Sequence, residues 1–223
     1  MGKAKRASER RDEGLSLERI VEVAIELLDA EGEDGLTFRA LATRLATGSG
    51  AIYWHVANKS ELLVAASNAI VAREMKALGT RAAPRKAIRN IAVSLYEGID
   101  AHPWVGAQLF RAPSETAMLQ IFERIGREIQ AMGVSRRAQF TSVSALVSYI
   151  IGVSVQNAAN GRQHDPRMSR AEFLKTIAAR WEALDPDEYP FTRKVAAQMR
   201  EHNDRAEFLA GVDLILNGIA LGC

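Results

Sequence analysis

The sequence predicts an all-α protein in which a small three-helix unit precedes a larger helical bundle. Three observations carry that reading. Apolar residues recur with the helical period along almost the whole chain, and no alternating run of useful length marks a strand. The breaks TRAAP, RAPS, NGRQHDP and DPDEYP hold most of the six prolines, which interrupt helices rather than continue them. A chain of 223 residues, 48% hydrophobic and 25% charged, is long enough for a sizeable core and is not disordered by composition.

The elements follow in order. Leu17, Ile20, Val21, Ala24, Leu27 and Leu28 form one stripe of a first helix, capped by Ser16 and stopped by Gly32. Thr37 caps a second, with Leu41 and Leu45 four apart. After the break ATGSG a third begins near Ser49. In NKSE, Asn58 and Glu61 have capping-box spacing, so a longer fourth helix starts at Lys59 and runs to about Leu78. Longer helices are predicted over Pro84–Ala101, Pro103–Arg111, Ser114–Met132, Ser135–Ala159, Arg170–Leu184, Phe191–His202 and Asp204–Leu221.

Two of these, the uncharged stretch Ala138–Gly161 and the last helix, are the most apolar. The first is long enough to span a bilayer, but its Gln, Ser, Thr and Asn content favours burial in protein. Sheltering both within one chain would make the core one-sided. A homodimer through a four-helix interface is therefore expected, with Leu146, Val147, Ile150, Ile151, Phe208, Leu209, Val212, Ile215, Leu216 and Ile219 at the contact.

Charge and motifs narrow the function. The net charge is only +2, but Lys3, Lys5, Arg6, Arg10 and Arg11 against Glu9 give MGKAKRASERR a net +4, an electrostatic arm over residues 1–14. The single cysteine, Cys223, permits no disulfide within the chain and no cysteine metal site. No apolar leader segment opens the chain, so a cytoplasmic protein is expected. With four histidines and no HExxH, GxSxG, GxGxxG or P-loop, no enzyme, cofactor or metal is expected.

GSGAIYWHVANKSELL, Gly48–Leu63, carries the chemistry. Two short helices joined by a tight turn form a helix-turn-helix, whose second helix offers its N-terminal residues to base edges in a major groove. Gly48 and Gly50 allow close approach, Thr47 and Ser49 supply hydroxyls, and Tyr53, His55 and Lys59 can meet phosphates. Trp54 either packs on the first or fourth helix or joins them.

GLTFRALATRLATGSGAIYWHVANKSELL, Gly35–Leu63, resembles the DNA-binding signature of the TetR family of repressors. HPWVGAQLF, the uncharged helix and EFLAGVDLILNGI are similar to the ligand-binding half of its tetracycline-repressor-like branch. The resemblance implies that Thr37 and Arg39 meet phosphate and base, that Gly48, Ser49 and Gly50 read bases, and that Tyr53, His55 and Lys59 position the helix over a core of Leu36, Leu41, Leu45, Ile52 and Val56. Gly48 and Gly50 depart from the residues common in relatives, so no operator sequence carries over.

The same resemblance implies DNA-binding residues 15–63 and an effector-binding and dimerisation domain, residues 64–223. A dimer would read a palindromic duplex DNA operator with half-sites ~34–36 Å apart. A small, mostly apolar effector would move the fourth helix and release DNA. Its pocket would be lined by His102, Trp104, Gln108, Phe110, Met118, Phe122, Tyr149 and Asn157. The histidine-centred metal set of the tetracycline repressors cannot be placed here. The alternative is a small-molecule-binding helical dimer whose DNA-binding domain is inactive or activating.

Overall fold

The computed structural model describes residues 15–79, 82–111, 115–163 and 167–221, so the basic arm falls outside the described residues. Eleven α-helices and one 3₁₀ helix make up these segments, with no strand among them. They are α1 (Leu17–Gly35), α2 (Phe38–Arg44), α3 (Ser49–Tyr53), α4 (Lys59–Ala77), α5 (Pro84–Ala101), α6 (Pro103–Arg111), α7 (Thr116–Ala131), α8 (Arg136–Gln163), α9 (Arg170–Glu182), α10 (Pro190–Val195), the 3₁₀ helix (Ala196–Glu201) and α11 (Asp204–Leu221).

Start signals read from the sequence act as such. The side chains of Ser16, Thr37 and Asn58 accept from the backbone N–H of Arg19, Ala40 and Glu61 at 3.2, 3.1 and 2.9 Å, each satisfying one donor left over at a helix start. Glu61 reaches back to the N–H of Ala57 at 2.7 Å, one residue before the cap. Gly32 does not end α1 but kinks it: at φ 69° and ψ −170° it leaves helical geometry, and the chain turns helical again to Gly35. The predicted helix Phe191–His202 is two pieces, α10 and a 3₁₀ helix that packs on α9, where Ala178 and Ala196 are both fully buried.

The chain divides into two compact units. The first holds the described residues up to Gly79 together with those of Ala101–Glu123; the second holds those of Thr80–Asp100 and Arg124–Cys223. This division differs from the expected one after residue 63. α4 lies against α1, with Leu62, Leu63, Ala66, Ile70 and Val71 buried, and α6 returns to pack on both. The expected core residues Leu36, Leu41, Ile52 and Val56 are buried, and Leu45 is half-buried.

In the second unit α8 packs on α11. This pairing takes up seven of the ten residues expected at the dimer contact. Leu146, Val147, Ile150, Ile151, Phe208, Val212 and Leu216 are all buried within the single chain, while Leu209, Ile215 and Ile219 are half-buried. The richest apolar faces of the two helices meet each other, because intrachain pairing buries them without a second molecule. What faces outward is different: Thr141, Ala145, Ser148 and Gln156 on α8, and Leu214 and Leu221 on α11. By length and composition Arg136–Gly161 could cross a membrane.

Candidate nucleic-acid interface and a second-unit cavity

The turn between α2 and α3 is closed by Ala46, the one non-glycine residue with positive φ (51°) among the described residues. The N–H of Thr47 donates to the Ala42 carbonyl at 3.0 Å, giving the left-handed helix ending usually made by glycine. Gly48 then caps α3 from extended geometry (φ −83°, ψ 145°) without a side-chain bond. Ile52 and Val56 anchor α3 from below. Ser49, Gly50 and Tyr53 of α3, and Trp54 and His55 just beyond it, are exposed.

Two aromatic side chains share that outward face. Tyr53 is 54% exposed and lies flat on Phe38, with ring centroids 4.2 Å apart and planes 2° apart. Trp54 is 90% exposed. The packing role the sequence allowed for Trp54 is therefore overturned, since its ring covers no neighbour. Arg39 is exposed and has no acidic partner among the described residues, in contrast to Arg44, which pairs with Glu26 and Glu31 at 4.0 and 3.2 Å. His55 lies near α1: the Glu18 carboxyl is lowered first by the backbone N–H of its own residue, then by Ser16, with His55 adding a smaller pull.

Lys59 and Thr37 are engaged. The Lys59 ammonium donates to the backbone carbonyl of Glu33, at the end of α1. An ammonium has three donors, so this tie fixes the side chain without exhausting it. The Thr37 hydroxyl caps α2. These two hold the helices in place as well as bordering the outward face.

The residues expected in an effector pocket separate. His102, Trp104 and Gln108 of the first unit are turned onto α1. His102 Nδ1 lies 2.8 and 3.0 Å from the two carboxylate oxygens of Asp29, which also accepts from Trp104 Nε1 at 2.7 Å. Glu33 accepts from Arg111 at 2.8 Å through both oxygens and from Gln108 at 3.3 Å. Trp104, 5% exposed, is core whose indole N–H is satisfied. Phe110 is exposed, and Met118 and Phe122 are half-buried.

Tyr149 and Asn157 instead line a cavity of 820 Å³ in the second unit, between α8, α9, the 3₁₀ helix and α11. Tyr149 donates to the Phe208 carbonyl at 3.2 Å, and burial, with Glu207 second, pushes its phenol above the usual range, so it stays protonated. Burial pushes the Tyr96 phenol above its usual range, and the neighbouring Asn157 side chain opposes that rise. Among the lining residues that sequence reading missed are Phe173, Ile177 and Trp181 of α9. Their spacing of four on an otherwise polar helix was the available signal. Among the described residues no group of His, Cys, Asp or Glu could hold a metal ion.

Residues 20–66 match the bacterial regulatory proteins of the tetR family, and residues 83–221 match the tetracyclin repressor-like C-terminal domain. A TetR transcriptional regulator from Streptomyces coelicolor, of solved structure, is 51% identical and superposes with a TM-score of 0.85, covering 93% of this chain and 99% of that one. The class D tetracycline repressor of Escherichia coli is 26% identical over 213 residues, 92% of this chain and 88% of its own length. ActR from Streptomyces coelicolor, solved in complex with actinorhodin, shares the fold at a TM-score of 0.76, with 21% identity over 93% of this chain and 98% of that one.

Proposed function

The chain belongs to the TetR family of bacterial regulatory proteins, and from that premise we propose that it is a cytoplasmic repressor that binds a palindromic duplex as a homodimer and leaves it when a small effector occupies the second unit. The observation that carries the DNA reading is the outward face of α3. A helix serving only its own core would cover Trp54 and Tyr53; here they stand exposed, with Ser49, Gly50, His55 and Arg39 exposed as well. Such a face combines base-reading small residues with aromatic and basic groups for the phosphates. Thr37, Thr47, Gly48 and Lys59 border it.

A second copy is needed to read both half-sites, and the residues left outward on α8 and α11, including Ala145, Ser148 and Leu221, offer the contact. For a near-complete swing off DNA the effector must favour the DNA-incompetent state ~10⁴-fold, about 5.5 kcal/mol. Selection of bound duplexes from a random pool, at stated salt, tests the reading. It expects enrichment of a two-fold symmetric sequence, protected as two half-sites. A folded, dimeric protein that enriches nothing would overturn it in favour of a ligand-binding dimer without DNA activity.

A further inference from the structure

We propose that Phe38 is a positioning residue for DNA: its ring holds Tyr53 in the pose that meets the duplex backbone. The proposal deepens the DNA reading of α3 and rests on it.

Both ends of the contact are anchored by local structure. Phe38 opens α2 directly after Thr37, whose hydroxyl accepts from the Ala40 N–H at 3.1 Å, so the backbone at Phe38 is pinned. Tyr53 closes α3, one residue after the fully buried Ile52. A tyrosine at the end of a five-residue helix has little within that helix to restrain its ring. The restraint comes from α2. The two rings lie parallel, with planes 2° and centroids 4.2 Å apart. Phe38 is half-buried and covers one face of the tyrosine, and Tyr53 still keeps 54% of its surface open. Trp54, the next residue, is 90% exposed.

That difference bears on affinity. An exposed side chain that is immobilised on binding loses rotamer freedom at that moment, which weakens the complex. Stacking has already removed part of that freedom from Tyr53, and not from Trp54. The stack also decides which part of the ring a duplex meets. Insertion between bases needs both faces, and one is taken by Phe38. The edge and the hydroxyl are left, and a phenol hydroxyl donates to phosphate.

The test uses the full chain and two labelled duplexes, the one selected from the random pool and a random-sequence duplex of equal length. Phe38→Leu keeps an apolar side chain without the flat ring. It is expected to weaken both duplexes about threefold, the cost of ordering one side chain. The salt slope should not change, because no charge is removed. Phe38→Tyr restores a ring and should bind within about twofold of the parent. In a Tyr53→Ala chain, Phe38→Leu should add less than about twofold, since the group it acts through is gone. A purely structural role would weaken binding equally with and without Tyr53, and would flatten the slope as basic groups moved. Phe38→Met replaces Phe38→Leu if the latter lowers the urea midpoint.

A second readout needs no DNA. In chains carrying fluorotyrosine, the Tyr53 fluorine signal, identified by its loss in Tyr53→Phe, should move in Phe38→Leu. An unmoved signal, no loss of affinity in Phe38→Leu, equal losses in the two backgrounds, or a flattened slope would overturn the proposal and leave the regulator in place. A folded parent chain that binds neither duplex would remove the DNA reading, and the positioning role with it.

Discussion

A methyl group added at Gly50 would meet nothing within 4 Å, whereas one added at Gly211 would collide with the ring of Tyr149. The two glycines belong to the two parts of the molecule that matter most, and they are small for opposite reasons. On α3 the space beside the backbone opens to solvent, next to the exposed rings of Tyr53 and Trp54. On α11 the space is filled by the protein itself, and the rings there form one wall of a cavity. The first surface stands open to solvent, as the proposed DNA contact requires. The second is shaped by internal packing, with a ligand-sized void left over.

The contrast can be broken at its strongest point first. Gly211→Ala should displace Tyr149 and cost about 1–3 kcal/mol, as overpacked sites do, read from the urea midpoint at unchanged slope. Tyr149→Ala in the same chain should recover part of that loss; no recovery would mean the clash is not what sets the cost. Next, Lys59→Ala should lower stability by ~1 kcal/mol through the lost bond to the Glu33 carbonyl. It should also weaken binding to every duplex and reduce the salt slope by about one. A loss confined to DNA binding would show that the tie to α1 has no structural role.

Smaller still, Ala46→Gly should raise stability by up to ~1 kcal/mol, because glycine adopts the left-handed geometry without the Cβ cost. A thermal midpoint that falls would contradict the strain argument. The last pair should scarcely touch the fold. Trp54→Ala and Gly50→Ala are expected within ~0.5 kcal/mol of the parent in stability. Trp54→Ala should weaken all duplexes alike, while Gly50→Ala should shift the preferred base pair by about 1–3 kcal/mol of discrimination. If Gly50→Ala weakened all duplexes equally, base reading would not reside at that position.

Much of this was legible in the chain. Pro84–Ala101, Pro103–Arg111 and Asp204–Leu221 are bounded as their prolines, caps and apolar stripes predict, and Thr37 and Asn58 start helices as expected. The outward face of α3 was legible because its polar and small residues sit together in one short stretch. The cavity was not: Tyr149 and Asn157 were found, but Phe173 and Trp181 on α9 were passed over, and His102 and Trp104 proved to serve Asp29. These side chains meet partners tens of residues away, which local spacing does not encode.

The sequence by itself determined most of the helices, the caps at Ser16, Thr37 and Asn58, the turn between α2 and α3 and the family, because these depend on contacts within a few residues. Only the tertiary structure decided that the apolar faces of α8 and α11 meet inside one chain, that Lys59 holds the end of α1, and that Gly211 makes room for Tyr149. An apolar stripe states that a face will leave water; it does not state what covers it, since burial is non-directional and the choice of neighbour is made by shape and close packing across the whole fold.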